Sequence, residues 1–449
     1  MSDDFDGLPS AEEMLSWIET IVAQGIRRPG YPADAAVRDW AARRLREWGL
    51  EVRTEPVEVP AWYPGEASLL ARLDRDPSRQ VALRGFPLPF TAPTSGTTGP
   101  LARLTDDIDA APGFLAVDEI GLVELPQAAL RDTALGAYDP DREFDTLTQT
   151  LPFTPRMQQV AEPAMAAGAG GYLGATTGFP WDTRDYYVPY DTVRRPIPGL
   201  WLSRSDSLRL LGLMAEGPCT GLLTARSEVR AATSANVVAT LPGNSDHWVV
   251  VGSHHDAPWA SAVEDASGIA LVLAAAAHWA RVPRSRRPHN LLFLLTAGHM
   301  THHAGTRAFV ERHRADLLPE VVLELHLEHA ALHCRPENGE LVPTPDPEVR
   351  WWFTSPEFAG VVLDAITAER LRRSLVFAPD AFFPEPPTDG ALFHRAGVPL
   401  VQFLSAPMYL FDSRDTMDKI DADGLVPLSR AAVRIVASTA GRTPPRTTA

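Results

Sequence analysis

Short apolar runs alternate with helical patterns through the second half of the chain. The runs with the β-branched and aliphatic composition of buried strands are residues 249–251, 290–296, 321–328 and 398–403. The segments with helical periodicity are residues 269–279, 305–313 and 422–440. Strands that alternate with helices of this length are typical of βαβ units. The pattern therefore predicts an α/β fold with a doubly wound, mainly parallel sheet.

The first half of the chain has a different pattern of predicted elements. Two helices are predicted at its start, over residues 10–24 with Ser10 as N-cap and over residues 34–48 with Asp34 as N-cap, and a strand follows at 52–59. A Pro-, Gly- and Thr-rich stretch then marks a boundary, and short strands and turns continue to about residue 230. We expect three parts: 1–85 and 232–449 forming one domain, and 86–231 an inserted, β-rich one.

Composition narrows the class of protein. A chain of 449 residues is too long for one ordinary core, which agrees with an insertion. The net charge of −16 argues against nucleic acid or an anionic membrane as partner. Cys219 and Cys334 are too few for a disulfide framework. The acidic N-terminus has no apolar signal region and no apolar run reaches membrane-spanning length, so we expect a cytoplasmic protein.

Imidazoles and carboxylates cluster where the predicted strands end. The clusters are His254 with Asp256, Glu264 with Asp265, His299 with His302 and His303, and Glu324 with His326, Glu328 and His329. Such groups at the carboxyl edge of an open α/β sheet suit a metal site or an acid/base site. A solvated polar loop is the alternative reading of the first two clusters.

The last cluster contains a conflict. Glu324, His326 and Glu328 alternate with leucines along one predicted strand. Three ionisable groups on one face of a buried strand would cost several kcal/mol unless they are paired or bind a metal. An edge strand with one solvated face is the alternative.

Taken together, these motifs resemble a known family, the two-zinc aminopeptidases of the aminopeptidase Y and leucyl aminopeptidase type. That family shares its fold with glutamate carboxypeptidase and the transferrin receptor. The similar stretches, in order, are Asn-Val-Val-Ala-Thr-Leu-Pro-Gly at 236–243, Gly-Ser-His-His-Asp at 252–256, Ala-Ser-Gly at 266–268, Gly-Thr-Arg-Ala-Phe at 305–309, Thr-Asp at 388–389 and Asp-Thr-Met-Asp-Lys-Ile-Asp at 415–421. The resemblance implies that the insertion is a protease-associated domain.

The resemblance implies one metal site of preserved type. By position, His254 would be a metal ligand, and Asp256 would orient that histidine and count among the catalytic residues. Glu264 stands where the family has a bridging aspartate, and Glu328 stands where it has a second aspartate. The expected ligands are therefore His254, Glu264 and Glu328.

The second metal site of the family is altered in this sequence. His299 replaces the glutamate that acts as general base, and Met300 replaces the neighbouring carboxylate ligand. Phe411 stands at the position of the final histidine, with Asp412 beside it as a substitute. Because a thioether and a phenyl ring hold zinc poorly, we expect one divalent ion, zinc first and iron or manganese as alternatives. His299 would be the catalytic base or a further ligand, and His303 is another candidate ligand.

Three functions remain open at this stage. The first is a metal-dependent, aminopeptidase-like hydrolase of peptide or amide-type bonds with a single metal, acting on small peptides or amino-acid-derived substrates. The second is a mononuclear iron or other metalloenzyme with non-hydrolytic chemistry on an amino-acid-like substrate. The third is a non-catalytic pseudopeptidase that keeps the fold for binding.

Overall fold

The structure, a computed structural model, describes residues 5–105, 110–157, 159–382 and 384–445. Its α-helices are α1 (Ala11–Val22), α2 (Pro32–Glu47), α3 (Gln127–Arg131), α4 (Glu162–Ala166), α5 (Arg204–Ala215), α6 (Gly268–Arg281), α7 (Ala304–His313), α8 (Ala359–Ala368), α9 (Gly390–Arg395) and α10 (Ala422–Ala437). Its strands are β1 (Glu51–Leu73), β2 (Asp76–Pro87), β3 (Thr94–Arg103), β4 (Leu115–Gly121), β5 (Glu124–Pro126), β6 (Gly136–Tyr138), β7 (Thr148–Thr150), β8 (Gly171–Gly178), β9 (Gly199–Leu202), β10 (Cys219–Leu241), β11 (Trp248–His254), β12 (Asn290–Thr296), β13 (Val321–Leu327), β14 (Leu332–Glu337), β15 (Glu340–Pro347), β16 (Arg350–Thr354), β17 (Ser374–Phe377) and β18 (Leu400–Ser405).

A fourteen-stranded mixed sheet runs through the described residues. Its strand order is β1-β2-β9-β8-β4-β3-β10-β12-β11-β13-β18-β16-β17-β6. The central strands β12, β11, β13 and β18 are parallel to one another, and helix α6 is buried against them almost throughout. The α/β prediction with a mainly parallel central sheet is confirmed.

Strand β13 lies inside the sheet. It pairs with β11 on one side and β18 on the other, and all seven of its residues are buried. The alternative of an edge strand with a solvated face is therefore wrong. The ionisable side chains of this strand must find partners within the protein.

A second core forms where the insertion was expected. Side chains from β1, β2, β4, β8, β9, β10 and α5 pack together there, among them Leu69, Leu115, Leu173, Leu200 and Leu223. Strands β1 and β10 pair along their whole length, from Glu51 opposite Thr240 to Leu73 opposite Cys219, and so connect this core to the central sheet. The boundaries after residues 85 and 231 fall inside β2 and β10. The three-part division and the protease-associated assignment stay predictions.

The two helix starts predicted near the N-terminus differ in outcome. Ser10 caps α1 as expected, with its hydroxyl accepting a hydrogen bond from the backbone N–H of Glu13. The Asp34 cap is wrong, because α2 begins at Pro32 and Asp34 lies within its first turn. The Asp34 carboxylate is buried and accepts hydrogen bonds from the backbone N–H of Gly30 and the hydroxyl of Ser234. A tertiary contact has replaced the local cap.

Two further features of the described residues bear on the sequence-based expectations. None of their helices has the length and apolar character that crossing a bilayer requires. Cys219 and Cys334 are buried free thiols. The location of the protein in the cell stays a prediction.

Candidate metal centre

The cluster lies at the carboxyl ends of the central parallel strands. His254 is the last residue of β11, His299 follows the end of β12, and Glu328 and His329 follow β13. Glu264 comes from the turn between β11 and α6. All five side chains are buried. Parallel neighbours end at the same edge of the sheet, which is why groups so distant in sequence meet here.

The turn that carries Glu264 is held by two charged side chains. The carboxylate of Asp415 accepts hydrogen bonds from the backbone N–H groups of Val263 and Glu264, each at 2.8 Å. The guanidinium of Arg27 donates to the backbone carbonyl of Glu264 at 2.8 Å. The backbone on both sides of Glu264 is thus fixed, and the Glu264 side chain faces the cluster.

Two histidines are oriented by backbone carbonyl groups. His254 Nδ1 lies 3.0 Å from the carbonyl oxygen of Asp256, and His329 Nδ1 lies 2.8 Å from that of Ser405. A carbonyl oxygen only accepts, so each Nδ1 carries a hydrogen, and in the neutral form of each ring Nε2 is the atom with a lone pair for a metal. Second-sphere bonds of this kind are usual for metal-binding histidines.

The free atoms of this group face one another. His254 Nε2 is 3.3 Å from Glu264 Oε1 and 3.9 Å from Glu328 Oε1. His329 Nε2 is 2.8 Å from Glu264 Oε2 and 3.7 Å from Glu328 Oε2. When ligand atoms surround one zinc ion tetrahedrally at about 2.0–2.2 Å, the distances between them are similar to the distances found here. One potential ligand atom from each of His254, Glu264 and His329 lies within 4.8 Å of the other two.

These atoms are close to groups of opposite charge but make no well-formed hydrogen bonds. Both nitrogen atoms concerned, the Nε2 of His254 and of His329, are buried without a well-formed hydrogen bond, as are both oxygen atoms of Glu264 and one of Glu328. Buried polar atoms left unpaired are costly, and several of them facing one point are what a cation site presents before the cation binds. The residues present therefore fit a divalent ion.

The pKa values of His254 and His329 shift in opposite directions. Burial lowers the pKa of His254 to about 3, and the nearby charge of His299 contributes. Burial also opposes protonation of His329, but the carboxylates of Glu264 and Glu328 outweigh it and raise its pKa to about 10. As a metal ligand His254 would be neutral from the outset, whereas His329 would have to exchange a proton for the metal.

The ionisable face of β13 is resolved by internal pairing. His326 lies between two carboxylates, with Nδ1 3.0 Å from Glu324 Oε1 and Nε2 2.9 Å from Glu328 Oε1. Burial lowers the pKa of His326, but these two carboxylates raise it well above its usual value. His326 is thus a charged partner that orients Glu328 and offers no free nitrogen to a metal.

A second group is centred on His299 and Asp389. The His299 ring stacks on the His254 ring with centroids 4.0 Å apart, and His299 Nδ1 is 2.7 Å from Asp389 Oδ2. The other Asp389 oxygen contacts His303 Nδ1 at 3.1 Å and the Thr306 hydroxyl at 2.5 Å. Burial lowers the pKa of His299, but Asp389, with smaller contributions from other carboxylates, raises it to about 10.

Several sequence-based expectations change at this point. The Asp256 carboxylate was expected to orient His254, but its nearest oxygen is 3.9 Å from Nδ1 and the backbone carbonyl does this instead. The carboxylate accepts the backbone N–H groups of His299 and Met300, at 3.0 and 2.8 Å, and so fixes the turn that carries His299. Asp256 is a positioning residue.

The substitute ligands are placed elsewhere. Asp412 was expected to be able to replace the lost histidine, but its carboxylate accepts hydrogen bonds from the Trp181 indole and the Arg414 backbone. His303 bonds to Asp389. It belongs to neither set of potential ligands among the described residues, which are His254 with Glu264 and His329, and His254 with His299, Glu328 and Asp389. His302 is exposed.

Three residues near the cluster were not among the predicted site residues. His329 had been noted at the strand end but not as a ligand, and its position directly after Glu328 was the available signal. Asp389 stood in a motif already compared with the family, yet its link to His299 spans 90 residues. Tyr190, from the expected insertion, lies with its ring 5.7 Å from that of His299, and nothing in the sequence pointed to it.

Comparisons with known proteins identify similar sequences and folds. Residues 236–436 match the family model of Peptidase family M28. A search of curated protein sequences finds no match. Among solved structures, the Peptidase M28 precursor from Shewanella amazonensis SB2B aligns with a TM-score of 0.71 and 20% identity over 97% of this chain and 98% of that chain.

Two aminopeptidases are similar in the same way. BSAP, a zinc aminopeptidase from Bacillus subtilis, has a TM-score of 0.67 and 16% identity over 97% of this chain and 96% of that chain. The aminopeptidase from Aneurinibacillus sp. strain AM-1 has a TM-score of 0.63 and 17% identity over 98% of this chain and 96% of that chain. At these identities the likeness shows the fold, and the family match covers residues 236–436. Residues 236–436 are thus similar to Peptidase family M28, and the chain shares the fold of these solved aminopeptidases.

Proposed function

We propose that the protein hydrolyses peptide or amide-type bonds with a single divalent metal ion, zinc, and acts like an aminopeptidase on small peptides or amino-acid-derived substrates. His254, Glu264, Glu328 and His329 hold the ion. The observation that carries this proposal is the set of buried ligand atoms of these four residues, which face one another at the strand ends without well-formed hydrogen bonds.

The proposal of a single ion follows from the hydrogen bonds of Asp389 and from the side chains at the family's other ligand positions. Asp389 is already bonded to His299, His303 and Thr306, and it offers no unpartnered oxygen of the kind that Glu264 does. The side chains at the family's other ligand positions are Met300 and Phe411, both buried. Neither suits zinc. One ion is the stoichiometry that this donor set supports.

When bound, the zinc ion supplies Lewis acidity and lowers the pKa of a coordinated water. His299 supplies proton transfer. Asp389 holds its Nδ1, so Nε2 is the atom left to exchange a proton with substrate, and Asp256 fixes the turn on which the ring is carried. An aspartate that orients a histidine in this way is familiar from acyl-transfer enzymes.

The direction of that proton transfer depends on the raised pKa. With a pKa of about 10, His299 carries a proton at neutral pH before any cation is present. It is therefore prepared to donate a proton to a leaving amine. The base role expected from the aligned glutamate requires that the pKa first falls, as it would beside a bound cation. The loss of a glutamate at this position also leads us to expect slow turnover.

The test combines metal removal with an amide substrate panel. Protein treated with a chelator should lose hydrolysis of aminoacyl anilides and dipeptides, and addition of one equivalent of zinc should restore it. His299→Gln should lose the activity and keep the metal. If zinc-loaded protein hydrolyses no member of the panel, the proposal fails.

A second candidate rests on the same ligands. His254, Glu264 and His329 are two histidines and one carboxylate, the set that non-haem iron enzymes use with open positions for other ligands. Under this alternative the protein would bind iron and do non-hydrolytic chemistry on an amino-acid-like substrate. Oxygen consumption by iron-loaded protein in the presence of an amino-acid panel, without amide hydrolysis, would favour it.

A further inference from the structure

Arg28 is a buried cation without an acidic partner. Its side chain is 2% exposed, and its Nε and Nη2 atoms are buried with no hydrogen-bond partner. Its Nη1 lies 3.5 Å from the hydroxyl of Tyr31, and none of the ion pairs among the described residues includes Arg28. A guanidinium cannot lose its proton to escape this cost, so it requires a partner that the protein itself does not provide.

The surroundings of Arg28 are aromatic. Five rings lie with their centroids 4.6–5.8 Å from its guanidinium carbon. They belong to Tyr31, Trp62, Phe86, Tyr187 and Trp259. Ring faces attract a cation, but they do not accept the directed N–H hydrogen bonds that a carboxylate accepts. The aromatic cage stabilises the charge and leaves its donors unused.

The preceding residue shows how a buried arginine is used for structure in this fold. Arg27 donates hydrogen bonds of 2.7–2.8 Å to the backbone carbonyl groups of Ala260, Ser261 and Glu264. It ties the loop after β11 to the N-terminal segment. Arg28 makes no comparable bonds to backbone carbonyl groups, so a purely structural role does not account for it.

The aromatic cage is connected to the metal centre through shared chain segments. Trp259 lies on the loop between His254 and Glu264, and Tyr187 lies three residues before Tyr190, whose ring packs on His299. The Trp259 indole and the Tyr187 backbone N–H both donate to the backbone carbonyl of Phe411. Trp259 and Tyr31 are only partly buried, and they form the side of the cage that faces solvent.

We propose that Arg28 binds a carboxylate of the substrate, and that the aromatic cage is a subsite for the acidic group of a peptide or amino-acid derivative. This inference rests on the proposed function for the substrate class. A planar carboxylate matches the paired N–H donors of a guanidinium, and the aromatic rings suit the carbon chain that carries it. Admission of the group requires Trp259 and Tyr31, the partly buried rings of the cage, to move.

The experiment compares a carboxylic acid with its neutral amide. Binding of N-acetylglycine and of N-acetylglycinamide to chelator-treated, metal-free protein is measured by calorimetry. We expect the acid to bind at least tenfold more tightly than the amide. Arg28→Gln should abolish this preference, Arg28→Lys should keep part of it, and Arg43→Gln, a change at an exposed arginine, should leave it unchanged. Melting temperatures identify any variant that fails to fold, and the wild-type comparison stands without the variants.

Four results would overturn the proposal: equal or undetectable binding of acid and amide by the wild-type protein, an unchanged preference in folded Arg28→Gln, binding of the acid only after zinc is added, or equally tight binding of inorganic phosphate. The third would place the carboxylate on the metal. The proposed function is judged separately, by zinc binding and anilide hydrolysis without the probe. Binding of the acid through Arg28 by a protein that holds no metal would leave this subsite standing and refute the function.

Discussion

Two buried polar clusters of the same domain can be compared, the metal centre and the pair formed by Arg350 and Asp421. Arg350 donates to Asp421 at 2.5 Å and to the backbone carbonyl of Arg372 at 2.7 Å. Asp421 also caps α10 by accepting the backbone N–H of Gly424. At the metal centre, by contrast, the atoms that face one another remain without hydrogen bonds. Both clusters bury charge, but the facing charged atoms of the pair make well-formed hydrogen bonds, and several of those at the metal centre do not.

The difference separates a structural role from a binding role. A buried charge pair with its hydrogen bonds made is fixed, and removing one partner leaves the other uncompensated. A buried cluster with free lone pairs costs folding free energy until something fills it. We therefore expect changes at the pair to be read out as stability and changes at the metal centre to be read out as metal affinity.

The largest expected effect is on metal binding. His254→Ala removes a neutral ligand nitrogen that touches the other donor groups, and we expect the zinc affinity to fall by about 10³-fold, roughly 4 kcal/mol. Competition with a chromogenic chelator measures this. Zinc should raise the melting temperature of the wild-type protein and not that of the variant. A variant that binds zinc as tightly as the wild type would remove His254 from the site.

A change at the pair of Arg350 and Asp421 should lower stability and leave zinc affinity nearly unchanged. Asp421→Asn leaves the buried guanidinium of Arg350 without its counter-charge, and we expect the free energy of unfolding to fall by about 3 kcal/mol. Denaturant unfolding measures it, with Asp423→Asn, exposed on the same helix, as the matched control. Zinc affinity should stay within twofold of the wild type. A large loss of zinc affinity would show that the two clusters are coupled.

His299 separates proton transfer from metal binding. His299→Gln should reduce amide hydrolysis by about 10²-fold, since a positioned acid or base contributes on this scale, and should leave the zinc content unchanged. His302→Gln changes an exposed histidine of the same turn and serves as control. Loss of zinc in the His299 variant would make it a ligand, and full activity would leave it a packed core histidine.

The smallest expected effect concerns Asp412. Asp412→Asn should leave zinc affinity unchanged, because its carboxylate is bonded to Trp181 and to the Arg414 backbone. Burial raises the pKa of Asp412 to about 6. A raised pKa means that the wild type loses stability as pH rises from about 4 to 6, so the difference in stability should shift in favour of the variant over that range. Denaturant unfolding across this range measures the shift, and the opposite trend would contradict it.

The sequence predicted what local composition determines. The apolar runs at 249–251 and 290–296 became central strands, and the polar residues after them lie at the carboxyl ends of these strands. It did not predict contacts made across the fold. The Ser405 carbonyl, 76 residues away, accepts from the His329 ring and orients it toward the cluster. The Asp34 carboxylate binds the hydroxyl of Ser234, 200 residues away, and does not cap the helix. Such choices depend on tertiary geometry that no local pattern contains.

The central claim is that one divalent ion is held by His254, Glu264, Glu328 and His329. Elemental analysis of protein purified without added metal, followed by zinc titration of the chelator-treated protein, tests it most directly. We predict one equivalent per chain in both measurements, and markedly weaker binding in His329→Gln. Two equivalents at full occupancy, or none at millimolar zinc, would contradict the account.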